Sequence, residues 1–211
     1  EYTGSAIEPA VTIKNGTTIL VEGRDYDVTY SDNVDKTKSA KAVVTGKGNY
    51  RGVVTKTFEI CATSIAAAVV TGIPESVVYT GESITFGGIQ VQLNGKTMVY
   101  GSDYTVNYEN NVNVTTEDAK AYVVIKGIDN YGGQLKAAFD IIPKDISGCK
   151  VDAINGQIYT GSEIIPDITV RDGKVLLEKD VDYTVTYENN IEITKSAKAV
   201  VTGKGNYRGV V

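Results

Sequence analysis

The chain alternates apolar and polar positions with a period of two along most of its length. In the segment 182–187, Tyr183, Val185 and Tyr187 fall on one face, and an aspartate and two threonines fall on the other. This alternation is the pattern of a half-buried β-strand. No segment combines a helical period with capping residues, and the two ambiguous segments, 64–70 and 145–154, are interpreted as strands. We therefore expect an all-β protein.

Turn signals separate the predicted strands at corresponding places. Asn15-Gly16, Asn94-Gly95 and Asp172-Gly173 each lie between two short strand-like segments. These dipeptides tolerate a positive φ at both central positions of a two-residue turn. The sequence therefore predicts three β-hairpins, each centred on one of these dipeptides.

The same motifs occur three times along the chain. The motif "YTG" lies at 2–4, 79–81 and 159–161, and "DYDVTY" at 25–30 is matched by "DYTVNY" at 103–108 and "DYTVTY" at 182–187. "GNYRG" at 48–52 and 205–209 is matched by "DNYGG" at 129–133, and the eighteen residues 37–54 are identical to 194–211. The spacing of about 80 residues is that of a small domain repeated in tandem. We expect three small antiparallel β-sandwich domains in an elongated array, with β-grasp-like units as the structural alternative.

The repeat boundaries follow from these motifs. Repeat 1 covers 1–60 and is predicted to lack its first strand, repeat 2 covers 61–142 and is complete, and repeat 3 covers 143–211 and lacks its last strand. Repeat 3 is therefore expected to have an open sheet edge beside Val210 and Val211, either filled by a neighbouring chain or frayed.

Taken together, "YTG", the hairpin dipeptides, "DYTVTYENN" and "GKGNYRG" resemble the tandem Ig-like "YTG/GNY" repeats of large surface proteins of Gram-positive bacteria. The resemblance implies Ig-like domains, secretion or attachment to the cell wall, and a role other than catalysis. Such repeats serve as stalks, as adhesive modules or as binders of host glycoproteins, including immunoglobulins. The resemblance supplies no catalytic residues.

Composition excludes several kinds of site. There is no histidine, so a Ser-His-Asp or Cys-His site cannot form and the commonest zinc ligand is absent. The net charge of −5 argues against nucleic acid as a partner, and no apolar run is long enough to cross a bilayer. Cys61 and Cys149 are expected to be unpaired. We assign no catalytic, metal or cofactor residues, because aspartates at strand starts usually cap the backbone and seldom bind calcium.

Six residues are the candidates for partner binding. Five lie in the glycine-rich "GNY" loops, where binding residues concentrate, and the sixth is a tyrosine of the divergent repeat 2: Tyr50, Arg51, Tyr131, Tyr207, Arg208 and Tyr122. Most of the chain's tyrosines recur at fixed repeat positions, which favours a structural role over a platform for sugar rings.

The leading functional hypothesis is a non-enzymatic segment of a bacterial surface protein that binds a host protein, with immunoglobulin as the first candidate. Its motivation is the divergence of repeat 2 from its neighbours. Two alternatives stay open: a rigid spacer without a ligand, and a carbohydrate-binding module that uses exposed tyrosines. We expect an extracellular, monomeric array without cofactor, nucleic-acid partner or membrane insertion.

Overall fold

The computed structural model describes all residues, 1–211, and confirms that the protein is all-β. It contains short strands and one 3-10 helix, Ile146–Gly148, and no α-helix. No helix has the length and apolar character that crossing a bilayer requires. Cys61 and Cys149 are both free, as predicted.

The strands follow one another in the order of the repeat motifs. Repeat 1 contains β1 (Lys14–Asn15), β2 (Thr18–Ile19), β3 (Tyr26–Ser31), β4 (Thr37–Gly46) and β5 (Val53–Ile60). Repeat 2 contains β6 (Thr63–Ser64), β7 (Val69–Thr71), β8 (Ser76–Val78), β9 (Gln90–Leu93), β10 (Lys96–Thr97), β11 (Tyr104–Glu109), β12 (Ala121–Gly127), β13 (Tyr131–Gly132) and β14 (Gln134–Ile142). Repeat 3 contains β15 (Lys144–Asp145), β16 (Lys150–Val151), β17 (Val170–Asp172), β18 (Val175–Leu176), β19 (Tyr183–Glu188), β20 (Lys198–Gly203) and β21 (Tyr207–Arg208).

The chain divides into two compact units. Unit 1 comprises Glu1–Thr71, Ile89–Asn107 and Val124–Lys136, and unit 2 comprises Gly72–Gly88, Tyr108–Val123 and Ala137–Val211. Both units therefore contain part of repeat 2. The division into three domains at the repeat boundaries stays a prediction.

In unit 1, β4 lies between β3 and β5 in an antiparallel sheet, and β9 lies between β7 and β10. The core beneath the sheet of repeat 1 is formed by Leu20, Tyr26 and Val44. Val11, Ile13, Val28 and Tyr50 pack against these three residues. Apolar residues of the hairpin and of alternate strand positions thus meet on one face, as the period-two pattern predicted.

In unit 2, β17 lies between β16 and β18, and β19 pairs with β20 in antiparallel register. The buried core of repeat 3 consists of Ile146, Ile168, Val170, Leu177, Tyr183, Val201 and Tyr207. Also in unit 2, β8 pairs in parallel with the last residues of β14, from Ser76 opposite Asp140 to Val78 opposite Ile142.

All three predicted hairpins form, but two of them turn one residue later than predicted. In repeat 2 the central residues are Asn94 and Gly95, both with positive φ. In repeats 1 and 3 the central residues are Gly16-Thr17 and Gly173-Lys174, in which only the glycine has a positive φ. Glycine at the first central position is typical of a type II′ turn, so the prediction of an Asn-Gly-type centre was wrong there.

The segments interpreted as single strands are each interrupted by a turn. In 145–154, the Asp145 side chain accepts a hydrogen bond from the Ser147 amide at 2.8 Å, and this caps the 3-10 helix that follows. The cap lets the chain direct Ile146 into the core, where it is fully buried. In 64–70 the chain turns at 65–68, with the Ala68 amide bonded to the Ile65 carbonyl at 2.9 Å and Ile65 fully buried.

Recurring tyrosine and aspartate positions stabilise the loops between strands. The Tyr30 and Tyr187 hydroxyls each donate to a proline carbonyl at 2.5 Å, on Pro9 and Pro166 respectively. Aspartates before the first tyrosine of the "DY" motifs cap the preceding turn: Asp25 accepts from Val21, Asp103 from Val99 and Asp182 from Glu178, at 2.8 to 2.9 Å. These residues therefore serve the backbone, as their places in the sequence predicted.

Candidate functional site: the joints between repeats

The "GNY" motif lies in a tight loop that follows β4 in repeat 1, β12 in repeat 2 and β20 in repeat 3. We call these loops the GNY loops, at 46–52, 127–133 and 203–209. Each closes with a backbone hydrogen bond between its first and last glycines, from Gly46 to Gly52, from Gly127 to Gly133 and from Gly203 to Gly209, at 2.9 to 3.0 Å. The loop doubles back so closely that a Cβ on the first glycine would lie 2.7 to 2.8 Å from a backbone nitrogen. Only glycine fits there.

The GNY loop of repeat 2 contacts repeat 1, and we call this contact joint 1. The Asn130 amide nitrogen donates to Asp35 Oδ1 at 2.8 Å, and the Asn130 Oδ1 accepts from the Lys36 backbone amide at 2.7 Å. The ring of Tyr131 packs edge-on against that of Tyr2, with 5.5 Å between ring centroids. All of these residues belong to unit 1.

The GNY loop of repeat 3 contacts repeat 2 in the same manner, and this is joint 2. The Asn206 amide nitrogen donates to Asn113 Oδ1 at 3.1 Å, and the Asn206 Oδ1 accepts from the Val114 backbone amide at 2.9 Å. The ring of Tyr207 packs edge-on against that of Tyr79 at 5.6 Å. Joint 2 lies entirely within unit 2.

The chain that connects consecutive repeats runs beside the GNY loop in both joints. Parallel pairing joins β6 to β13 in joint 1 and β15 to β21 in joint 2. The Tyr2 amide donates to the Cys61 carbonyl at 2.8 Å, and the Tyr79 amide donates to the Ile142 carbonyl at 2.9 Å. Tyr2 and Tyr79 are thereby fixed both to the connecting segment and to the tyrosine ring of a GNY loop.

The two buried joint tyrosines find different polar partners. Tyr131 accepts a hydrogen bond from the Lys96 ammonium at 3.1 Å, and this bond raises the pKa of Lys96. The Tyr207 hydroxyl donates to Asp172 Oδ2 at 3.1 Å, and Asp172 also pairs with Lys144 at 2.6 Å. Burial, together with the negative charge of Asp172, raises the pKa of Tyr207 well above its ordinary value. Both hydroxyls are therefore satisfied despite burial.

The GNY loop of repeat 1 has the same sequence as that of repeat 3 but makes no contact of this kind within residues 1–211. Asn49 and Arg51 are exposed and Tyr50 is half-buried. In repeat 3, Tyr159 and Ile193 occupy the places of Tyr79 and Val114, and both are exposed. Within residues 1–211 the structure therefore shows two joints of this kind.

The six predicted partner-binding residues do not meet at one site. Tyr131 and Tyr207 are only 6% and 5% exposed, which leaves little ring surface for a partner. Arg208 is exposed beside Asp145, and Tyr122 is half-buried on β12. Binding through these residues stays a prediction.

Four residues of the joints were not singled out from the sequence: Asn130, Asn206, Tyr2 and Tyr79. The available signal was the recurrence of asparagine beside tyrosine in every GNY loop. No cluster of three or more cysteine, aspartate or glutamate side chains could hold a metal ion. Hydrogen bonds and aromatic contacts form both joints.

No protein-family model, curated protein or solved structure matches the chain. The resemblance to bacterial surface repeats consequently stays a prediction that depends on the motifs alone.

Proposed function

We propose that this chain is a non-catalytic structural segment of an extracellular bacterial surface protein, built of tandem Ig-like repeats that act as a spacer. Each repeat is fixed to the one before it through its GNY loop. The motifs most easily taken for a binding signature then have a structural purpose.

The observation that carries this proposal is that both joints use the same contacts. In each, one asparagine makes two hydrogen bonds to the preceding repeat, and two tyrosines pack edge-on. When one asparagine side chain donates one hydrogen bond and accepts another, its two partners can occupy only a narrow range of positions. Edge-to-face tyrosines add about 0.5–1.5 kcal/mol beyond the area they bury. A joint of this kind favours one arrangement of consecutive repeats.

A matched pair of substitutions tests the structural function. Asn206→Ala removes both side-chain hydrogen bonds of joint 2, and Asn49→Ala changes the identical loop where no neighbouring repeat contacts it. We expect Asn206→Ala to lower the free energy of unfolding by about 1–3 kcal/mol and Asn49→Ala to change it by less than about 0.5 kcal/mol. Urea denaturation measures both. Equal effects of the two substitutions would contradict a structural joint.

Host-protein binding is the second candidate, and one observation favours it. Repeat 2 exposes two adjacent apolar side chains, Val99 and Tyr100, which are 57% and 67% exposed. The places of Tyr100 in repeats 1 and 3 are occupied by Glu22 and Lys179. An exposed tyrosine beside an aliphatic residue is common in protein interfaces.

Retention of immunoglobulin or other serum proteins on the immobilised chain tests this second function. If repeat 2 binds a host protein through this patch, Tyr100→Ala reduces retention at least about tenfold, whereas Tyr159→Ala, an exposed tyrosine of repeat 3, leaves it unchanged. Absence of retention above background would contradict the host-binding function and would leave the proposed structural function untouched. A glycan array tests the carbohydrate alternative in the same way.

A further inference from the structure

One buried tyrosine of repeat 2 lacks the hydrogen bond that its counterparts make. The Tyr26 hydroxyl donates to the Val11 carbonyl at 3.1 Å, and the Tyr183 hydroxyl donates to the Ile168 carbonyl at 2.7 Å. Tyr104, at the same place in the "DY" motif of repeat 2, is only 3% exposed, but its hydroxyl has no partner in the chain. Since no fully buried polar side-chain atom is without a partner, this hydroxyl must reach the surface.

The segment that leads into the hairpin is one residue longer in repeat 2 than in the other repeats. The carbonyl of Phe86 accepts from the second tyrosine of the "DY" motif, as the carbonyls of Pro9 and Pro166 do in repeats 1 and 3. Four residues separate Phe86 from Val91 of the hairpin, but only three separate each proline from the corresponding hairpin residue. A longer segment follows a different path, so it does not place a carbonyl against the Tyr104 hydroxyl.

The surface beside this hydroxyl is apolar in repeat 2. The ring of Tyr104 packs edge-on against that of Tyr100, with 5.8 Å between ring centroids. Tyr100 and Val99 are both exposed. The place of Tyr100 is taken by the charged residues Glu22 and Lys179 in the other two repeats. A free hydroxyl and an exposed aromatic ring therefore occur together in repeat 2 alone.

The Tyr104 hydroxyl is protonated near neutral pH and is therefore a hydrogen-bond donor. Burial of the ring, together with the nearby Tyr100 and Asp103, raises the pKa of Tyr104. The Asp103 carboxylate accepts from the Val99 amide at 2.8 Å and makes no bond to this hydroxyl. The site thus offers one donor that needs an acceptor from outside the chain.

A main-chain carbonyl is the acceptor that the fold favours at this position. Both counterpart hydroxyls donate to a main-chain carbonyl at the same place in their repeats. A strand within a sheet has most of its carbonyls already paired, whereas an extended proline-rich segment has carbonyls that no internal hydrogen bond occupies. Proline-rich segments also dock on aromatic side chains, and they carry no charge, like the exposed side chains of Val99 and Tyr100.

We propose that Tyr100 and Tyr104 bind an extended proline-rich segment of a partner protein. The Tyr104 hydroxyl donates to one main-chain carbonyl of the segment, and a proline ring beside that carbonyl packs on the exposed ring of Tyr100. Val99 extends the apolar contact. The proposal rests on the host-binding candidate, because it names the chemistry of a partner at the same patch, and the spacer function does not depend on it.

Two matched substitutions test whether the Tyr104 hydroxyl is free. Tyr104→Phe removes a hydroxyl without a partner in the chain and should leave the urea midpoint unchanged. Tyr183→Phe removes the hydroxyl that is bonded to Ile168 and should lower the midpoint. Equal lowering by the two substitutions would show that the Tyr104 hydroxyl is bonded within the chain and would overturn the proposal.

Hexaproline blocked at both ends is the probe for binding. At millimolar concentration we expect it to shift the NMR signals of Val99, Tyr100 and Tyr104 in the intact chain. A blocked Gly-Ser hexapeptide has no rings and no preferred extended conformation, so it should bind at least about tenfold more weakly. Tyr104→Phe should weaken hexaproline binding about fivefold through the loss of one hydrogen bond. Tyr100→Lys, which introduces the residue of repeat 3, should weaken it at least about tenfold.

Three results would overturn the proposal: equal binding of the two peptides, no shift of these signals with hexaproline, or unchanged hexaproline binding in Tyr104→Phe. Cellohexaose that shifts the same signals when hexaproline does not would also overturn it, because the site would then take neutral sugars. Retention of a serum protein that is lost in Tyr100→Ala, without any hexaproline binding, would remove the proline-rich partner and leave host binding standing. Hexaproline binding without serum retention would support the proposal and contradict only a partner from serum.

Discussion

At the scale of single residues, the same side chain has different surroundings in each copy of the repeat. In the joints, the side-chain amides of Asn130 and Asn206 each donate one hydrogen bond and accept another, whereas Asn49 is exposed. Alternation along the strands was enough to predict that most tyrosines are structural. It could not identify the partner of Asn206, because that partner lies more than 90 residues away in the sequence.

The alanines of the repeated stretch give a prediction at this scale. Ala40→Arg forces a charge into a fully buried position beneath β5, so it should lower the free energy of unfolding by at least about 3 kcal/mol. Ala197 has the same local sequence as Ala40 but is exposed. Ala197→Arg should therefore lower the free energy of unfolding by less than about 0.5 kcal/mol. Thermal and urea unfolding of the two variants measure the difference. Similar losses of stability would show that the two stretches do not differ in burial.

Asp25 gives a prediction about pH. Hydrogen bonds from Arg24 and from the Val21 amide lower the pKa of this carboxyl below the value of about 3.9 that it has in an unfolded chain. The resulting stabilisation is present above the unfolded pKa and is lost as the pH falls through the folded pKa. We expect stability to fall as the pH is lowered from about 5 to about 2, and to fall less steeply in Asp25→Asn. Urea midpoints across this range test it, and identical slopes for the two proteins would contradict it.

At the scale of elements, strands and hairpins followed from the sequence, but the residues that form the turns did not. Three apolar pairs fix the hairpin register, each joined by a backbone hydrogen bond of 2.9 to 3.0 Å: Ile13 with Leu20, Val91 with Met98 and Val170 with Leu177. All six residues are buried except Ile13, which is half-buried. The turn then takes whichever two residues lie between the strands, which explains the shift in repeats 1 and 3. The 3-10 helix was missed because its cause is burial of Ile146, a tertiary effect.

The close approach within a GNY loop gives a prediction about this element. A Cβ on Gly203 would lie 2.7 Å from the Arg208 nitrogen, so Gly203→Ala must displace the loop that forms joint 2. We expect a loss of about 1–3 kcal/mol in the free energy of unfolding. Gly156→Ala is the control, because nothing lies within 4 Å of the added Cβ and φ is not positive. A neutral Gly203→Ala in urea denaturation would show that the loop tolerates displacement.

At the scale of the whole molecule, the all-β character could be predicted from the alternation and the turn signals, whereas the division into three domains stays a prediction. That the GNY loops form joints could not be predicted, because a loop that recurs in every copy has the same sequence whether it contacts a ligand or the preceding copy. Tyr131 and Tyr207 illustrate this, since the same glycine-rich surroundings that suggested binding also permit the close packing of consecutive repeats.

Amide hydrogen exchange at three equivalent positions tests the joints most directly. The Lys36 and Val114 amides donate to Asn130 and Asn206, whereas Ile193, at the same place in repeat 3, has no GNY loop against it. We expect NMR of the intact chain to show slow exchange at Lys36 and Val114 and fast exchange at Ile193. Exchange that is equally fast at all three amides would contradict the claim that GNY loops fix consecutive repeats to one another.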